Sequence, residues 1–222
     1  MLTLSEKLLL LALHDEKGSV VMSASQALPY GLAGALLLEL YLAGRIDISD
    51  KSIRLVDSSQ TQDALLNEVL VLLTDSNQSQ NAKYWLKQIH GKVKGIQARL
   101  AEQLVQKKVL AKEERSFLWL INYNRYPTKD VEPEQNIRSH IKDVVLGGSA
   151  ASEEDLALIS LIKASDLTGE VFDKADRKQA KTRIDSLTKE QKVSGAVSQI
   201  VEEITAALVV IMAATTVATT VS

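Results

Sequence analysis

The chain has 222 residues, 45% hydrophobic and 24% charged, with a formal net charge of −2 and no cysteine. This excludes disulfides, thiolate metal sites and cysteine nucleophiles, and a strong overall pull toward a polyanion. Only three prolines and ten glycines interrupt it, which favours long helices over many short strands.

Thr3 and Glu6 have capping-box spacing and open a helix over Leu4–Leu13, ended by the polar turn His14–Gly18. Ser19–Ser25 reads as a connection with a short strand at Val20–Met22. The run Pro29–Ala43 is apolar almost all round, so it predicts a buried central helix, with Pro29 in the first turn and Gly44 at the stop. Gly31 and Gly34 let another helix come close to its start. Ile46–Ile48 and Ile53–Val56 alternate apolar with polar and predict a hairpin. Helices follow at Asp63–Leu73, at Asn81–His90 with Trp85 and Ile89 inward, and at Val93–Lys107.

A second hairpin is expected between Val109–Lys112 and Phe117–Ile121 through Glu113–Arg115, with Asn122–Asp130 as loop. Pro133 begins a helix that presents Ile137, Ile141, Val144 and Val145. Ser152 caps the next, with Glu153, Glu154 and Asp155 at its positive end. Two helices are expected around Val171–Leu187, and a final apolar one from Ala196 to about Thr220. From Ile204 to Ser222 there is no charge, yet ten of these 19 residues are Ala or Thr and no Lys or Arg flanks them. A buried terminal helix suits that better than a membrane anchor. The sum is a mainly α, single globular multi-helix domain, residues 1–222, around a buried central helix with one or two small β-hairpins.

Motifs for nucleotide, phosphate-loop, serine-hydrolase or zinc-protease chemistry are absent, and His14, His90 and His140 stand apart from any ligand partner. The expectation is a non-enzyme with no cofactor and no metal. Nine basic and three acidic residues lie between Lys83 and Arg115, a local excess of positive charge. Such a run is either a solvated helix face or a surface that meets phosphates. It lacks interleaved aromatics and a recognition helix, so nucleic acid is not the expected partner. Lys174, Lys178 and Lys181 form a weaker basic stripe read as plain surface.

The succession Leu2–Glu6, Asp15–Gly18, Gly31–Gly34, Glu39–Ile46, Arg99–Leu110 and Leu156–Asp166 resembles the Golgi phosphoprotein 3 family, from residue 2 to about residue 210. The resemblance implies a helical domain whose terminal helix packs into the body. It further implies a peripheral membrane protein that, in eukaryotes, binds phosphatidylinositol 4-phosphate and sorts Golgi glycosyltransferases. It implies self-association through an exposed hairpin, here roughly Leu118–Tyr126, with Trp119, Leu120, Ile121, Tyr123 and Tyr126 as the interface of a homo-oligomer. The family's lipid pocket uses a tryptophan before the Gly-Leu-x-Gly motif, an arginine within it and two arginines one turn apart on the later basic helix. The matching positions here are Ala24, Ala33, Lys94 and Gln97, so only Lys94 keeps a charge. Lys92, Lys94 and Arg99 remain to attract anionic headgroups. The sequence starts at the domain and resembles a bacterial-type member, expected in the cytoplasm or peripherally at the cytoplasmic membrane face. The competing expectation is a soluble self-associating helical scaffold that has lost lipid recognition.

Overall fold

The structure is a computed structural model that describes residues 1–76, 79–117, 121–190 and 196–219. Its centre is α2 (Leu28–Leu42), in which Leu32, Leu36, Leu37, Leu38 and Leu40 are all buried. Around it pack α1 (Leu4–Leu11), α3 (Ala64–Thr74), α4 (Ala82–Lys92), α5 (Ile96–Gln106), α7 (Glu153–Ala164) and α10 (Ala196–Thr219). The outer elements are α6 (Glu132–Val145), the single turn α8 (Thr168–Val171) and α9 (Arg177–Glu190). The expected mainly α architecture around a buried central helix is therefore observed. Among the described residues no helix is long and apolar enough to cross a membrane.

A helix apolar on every side must be enclosed, and two glycines let this one be enclosed closely. A Cβ on Gly34 would lie 3.0 Å from Ile204 of α10 and 3.4 Å from Leu161 of α7. A Cβ on Gly31 would lie 2.4 Å from the Ser165 hydroxyl, which is buried and has no hydrogen-bond partner among the described residues. Gly31→Ala is therefore expected to cost about 1–3 kcal/mol through overpacking, offset in part by about 1 kcal/mol of helix propensity. Ser165→Ala in the same chain should recover that loss, which a double-mutant cycle of denaturant unfolding measures. The one charged residue of α2, Glu39, accepts the Ser5 backbone N–H at 2.6 Å, and burial pushes its carboxyl pKa up.

The predicted capping box forms at Thr3, and the predicted cap at Ser152 is a capping box as well. Thr3 Oγ1 accepts the Glu6 N–H at 3.3 Å while Glu6 accepts the Thr3 N–H at 2.8 Å, and Ser152 with Asp155 does the same at the start of α7. Leu13 leaves α1 two residues earlier than expected because it bridges Val20. Of the short strand expected at Val20–Met22, Val20 forms a single antiparallel bridge, and a 3-10 turn takes over from Met22 to Ala24. The first hairpin is β1 (Ile46–Ser49) against β2 (Ser52–Leu55), and a two-residue strand β3 (Gln80–Asn81) adds to β2.

The second hairpin is displaced from its expected place. It pairs β4 (Glu113–Phe117) with β5 (Ile121–Arg125), placing Glu113 opposite Arg125 and Phe117 opposite Ile121. The residues read as turn form the first strand, and part of the expected loop forms the second. The reason is burial: Val109 and Leu110 belong to the core, and their backbone bonds the Pro127–Asp130 segment instead. Gly18 at φ +58° anchors the same segment, since a Cβ there would lie 2.2 Å from the Tyr126 backbone. Tyr126, expected on the exposed hairpin, is 8% exposed, and its hydroxyl lies 3.2 Å from Glu102. That corrects its assignment to an interface. Ile121 and Tyr123 lie on β5, whereas Trp119 and Leu120 fall outside the described residues.

The terminal helix buries Ile200, Ile204, Leu208 and Ile211 against α2, α4 and α7, while Val209 and Val210 face outward. On α6, Glu134 is almost wholly buried and pairs with Arg138 one turn on. Burial pushes its carboxyl pKa up to about 7, with Arg138 opposing and Asp15 reinforcing the shift. A raised folded-state value means the native state binds the proton more tightly than the unfolded chain. Stability should then fall as pH rises from the ordinary carboxylate range to about 7 and level off above it, by up to about 3 kcal/mol. Glu134→Gln should remove that slope, read as wild type minus variant in unfolding free energies across the pH range.

Candidate functional site

The turn between α4 and α5 is built by Gly95, which adopts φ +65° and starts α5 without a side-chain cap. This turn lies against the first turn of α2. Together they form a cleft of about 200 Å³ lined by Pro29, Leu32, His90, Val93, Lys94 and Gln97, among others. No carboxylate lines it among the described residues. The Lys94 ammonium donates to the Gly91 carbonyl at 2.5 Å, which holds the chain's positive charge at the mouth. The His90 ring, which also lines the cleft, packs tilted against Tyr30 of α2 with centroids 4.4 Å apart.

Of the residues expected to form a headgroup site, only Lys94 and Gln97 meet in this cleft. Lys92 lines a separate groove with Asn67, Glu68, Val71 and Leu72, back to back with the first across Val93. Arg99 Nη2 is 2.8 Å from Glu68 Oε1 on that side, so its charge is spent locally. Ala24 and Ala33 are fully buried and line neither groove, which corrects their placement in a headgroup pocket. Both side chains are absorbed into the core.

Burial and pairing separate the basic residues in a way their order does not announce. Arg99, Lys107, Lys112 and Arg115 pair with Glu68, Glu6, Glu102 and Glu113. Among the described residues Lys83, Lys87, Lys92, Lys94 and Lys108 have no carboxylate within ion-pair distance. Lys83 and Lys87 are exposed one turn apart on α4, and Lys94 follows past its end. The outward feature is thus a line of ammoniums along α4 leading to the cleft. Helical spacing of Lys83 and Lys87 was the available signal, whereas Tyr30 and His90 carried none.

Among the described residues no group of three or more His, Cys, Asp or Glu could hold a metal ion. His140 Nε2 lies 2.8 Å from Asp155 Oδ1, apart from the cleft.

A family profile described as "Golgi phosphoprotein 3 (GPP34)" matches residues 4–204. A protein from Eremothecium gossypii, "Vacuolar protein sorting-associated protein 74", is 30% identical over 166 residues. That match covers 65% of this chain and 49% of the relative, so the chain spans about half the length of that relative. The bacterial-type qualifier gains no support from these similarities.

Proposed function

The chain belongs to the Golgi phosphoprotein 3 family, and from that premise we propose that it is a non-enzymatic, peripheral membrane-associated protein binding anionic lipid headgroups at the cytoplasmic face of a membrane. Phosphatidylinositol 4-phosphate is the headgroup the family resemblance suggests. The observation that carries the reading is the line of unpaired ammoniums, Lys83, Lys87 and Lys94, ending at a cleft without carboxylates. Each such charge near an anionic surface contributes about 1 kcal/mol. Lysines give diffuse attraction where guanidinium pairs would give bidentate phosphate contacts. The reading is therefore of weak, salt-sensitive binding with modest headgroup preference. Vesicle co-sedimentation with and without phosphoinositide, at low and physiological salt, tests it. Pelleting at low salt that declines with added salt is expected, and no pelleting at low salt defeats it.

A second reading, self-association through the β4–β5 hairpin, is favoured by one observation: these strands find their main contacts in each other rather than in the helical body. Light scattering on the whole chain and on a hairpin deletion separates the two states. A monomeric whole chain removes this reading.

A further inference from the structure

We propose that the cavity between the C-terminal end of α7, α8 and α9 binds a phosphorylated polyol. It has a volume of about 350 Å³ and is lined by Lys163, Asp166, Thr168, Arg177 and Lys181. That volume lies in the range of small-molecule sites and accommodates one six-membered ring with its phosphates.

Three cations and one carboxylate converge on it. Arg177 Nε donates to the Phe172 carbonyl at 3.1 Å and Nη2 donates to the Gly169 carbonyl. These bonds fix the guanidinium plane and leave further N–H groups uncommitted. Lys163 is shared with Asp185 at 2.5 Å. Lys181 has no ion pair among the described residues.

Asp166 is the informative residue. It follows the last turn of α7 at φ +56°, where glycine is the usual choice. Its carboxylate also sits at the negative end of the helix dipole. The left-handed backbone tolerates an aspartate, but the helix end disfavours its negative charge, and it forms no ion pair among the described residues. A simple anion would be repelled by it. A ligand that places hydroxyls on Asp166 and Thr168 and phosphate on Lys163, Arg177 and Lys181 uses every polar group in the cavity. Ser165, beside Asp166, faces Gly31 in the first turn of α2, so this cavity and the Lys94 cleft flank the same helix end.

The inference deepens the membrane reading, since a phosphoinositide exposes such a polyol, but its pocket is distinct from the Lys94 cleft. Calorimetric titration of the full chain with myo-inositol 1,4-bisphosphate, inorganic phosphate and myo-inositol tests it. The bisphosphate should bind at least tenfold more tightly than either fragment. Lys181→Gln should weaken it at least tenfold, and Lys112→Gln, at a residue that lines neither cavity, should leave it unchanged. Asp166→Asn should erase the preference over inorganic phosphate while melting no lower than wild type, because asparagine tolerates the left-handed region. If Lys181→Gln also reduces pelleting on phosphoinositide vesicles, the source is lipid. If only the soluble ligand is lost, the source is a free polyol phosphate, and both results support the site. Failure of the bisphosphate to bind wild type overturns it. So does loss of binding in Lys94→Gln with retention in Lys181→Gln, which would leave the proposed membrane function standing.

Discussion

Leu37→Ala is expected to lower the free energy of unfolding by about 3–5 kcal/mol, seen as a reduced denaturant midpoint with an unchanged slope. Leu37 is 0% exposed in the middle of α2, where helices close on every side. Truncation there removes the transfer free energy of the side chain and leaves a cavity, because the surrounding helices already pack closely against Gly31 and Gly34. A typical domain has about 5–15 kcal/mol in total, so this one change removes a large share. Leu42→Ala is the internal comparison. Leu42 is 38% exposed at the end of the same helix, and its truncation should cost under about 1 kcal/mol.

The second large effect is electrostatic. Replacing Lys83, Lys87 and Lys94 together by Gln should weaken partitioning onto anionic vesicles by about 3 kcal/mol, roughly a hundredfold, at low salt. Folding should be little affected, since all three are exposed and none pairs with a carboxylate among the described residues. Lys112→Gln with Arg115→Gln removes charge from the same stretch of sequence. Those side chains are already neutralised by Glu102 and Glu113 at 2.7 Å, so the change should matter much less. The contrast separates a directed cationic line from a general effect of net charge.

The central helix was legible because Pro29–Ala43 has no polar face, and a segment without one has a single solution in water. The Thr3–Glu6 capping box was legible because its partners are three residues apart. The displaced hairpin was not. β4 is polar from Glu113 to Ser116 and only its last residue, Phe117, is apolar, so no alternation marked it, while the apolar Val109 and Leu110 before it were claimed by the core. β3 is two residues long and exists only through its pairing with β2, which no local pattern encodes. At the site, the excess of positive charge was visible, but its division was not. The partners of Arg99 and Lys107 are Glu68 and Glu6, distant in sequence and brought close only by the packing of α5 against its neighbours. The resemblance implied a headgroup pocket at Ala24 and Ala33, and their burial, set by packing around α2, was not legible from their order in the chain.

The central claim is that an enclosed α2 holds the α4–α5 turn outward as the face that meets phosphate. Hydrogen exchange on the full chain, with and without anionic vesicles at low salt, addresses it most directly. The account predicts slow exchange through α2 in both conditions, and added protection on vesicles in peptides spanning residues 83–97. Rapid exchange in α2, or vesicle protection confined to elements that carry none of Lys83, Lys87 and Lys94, would contradict it.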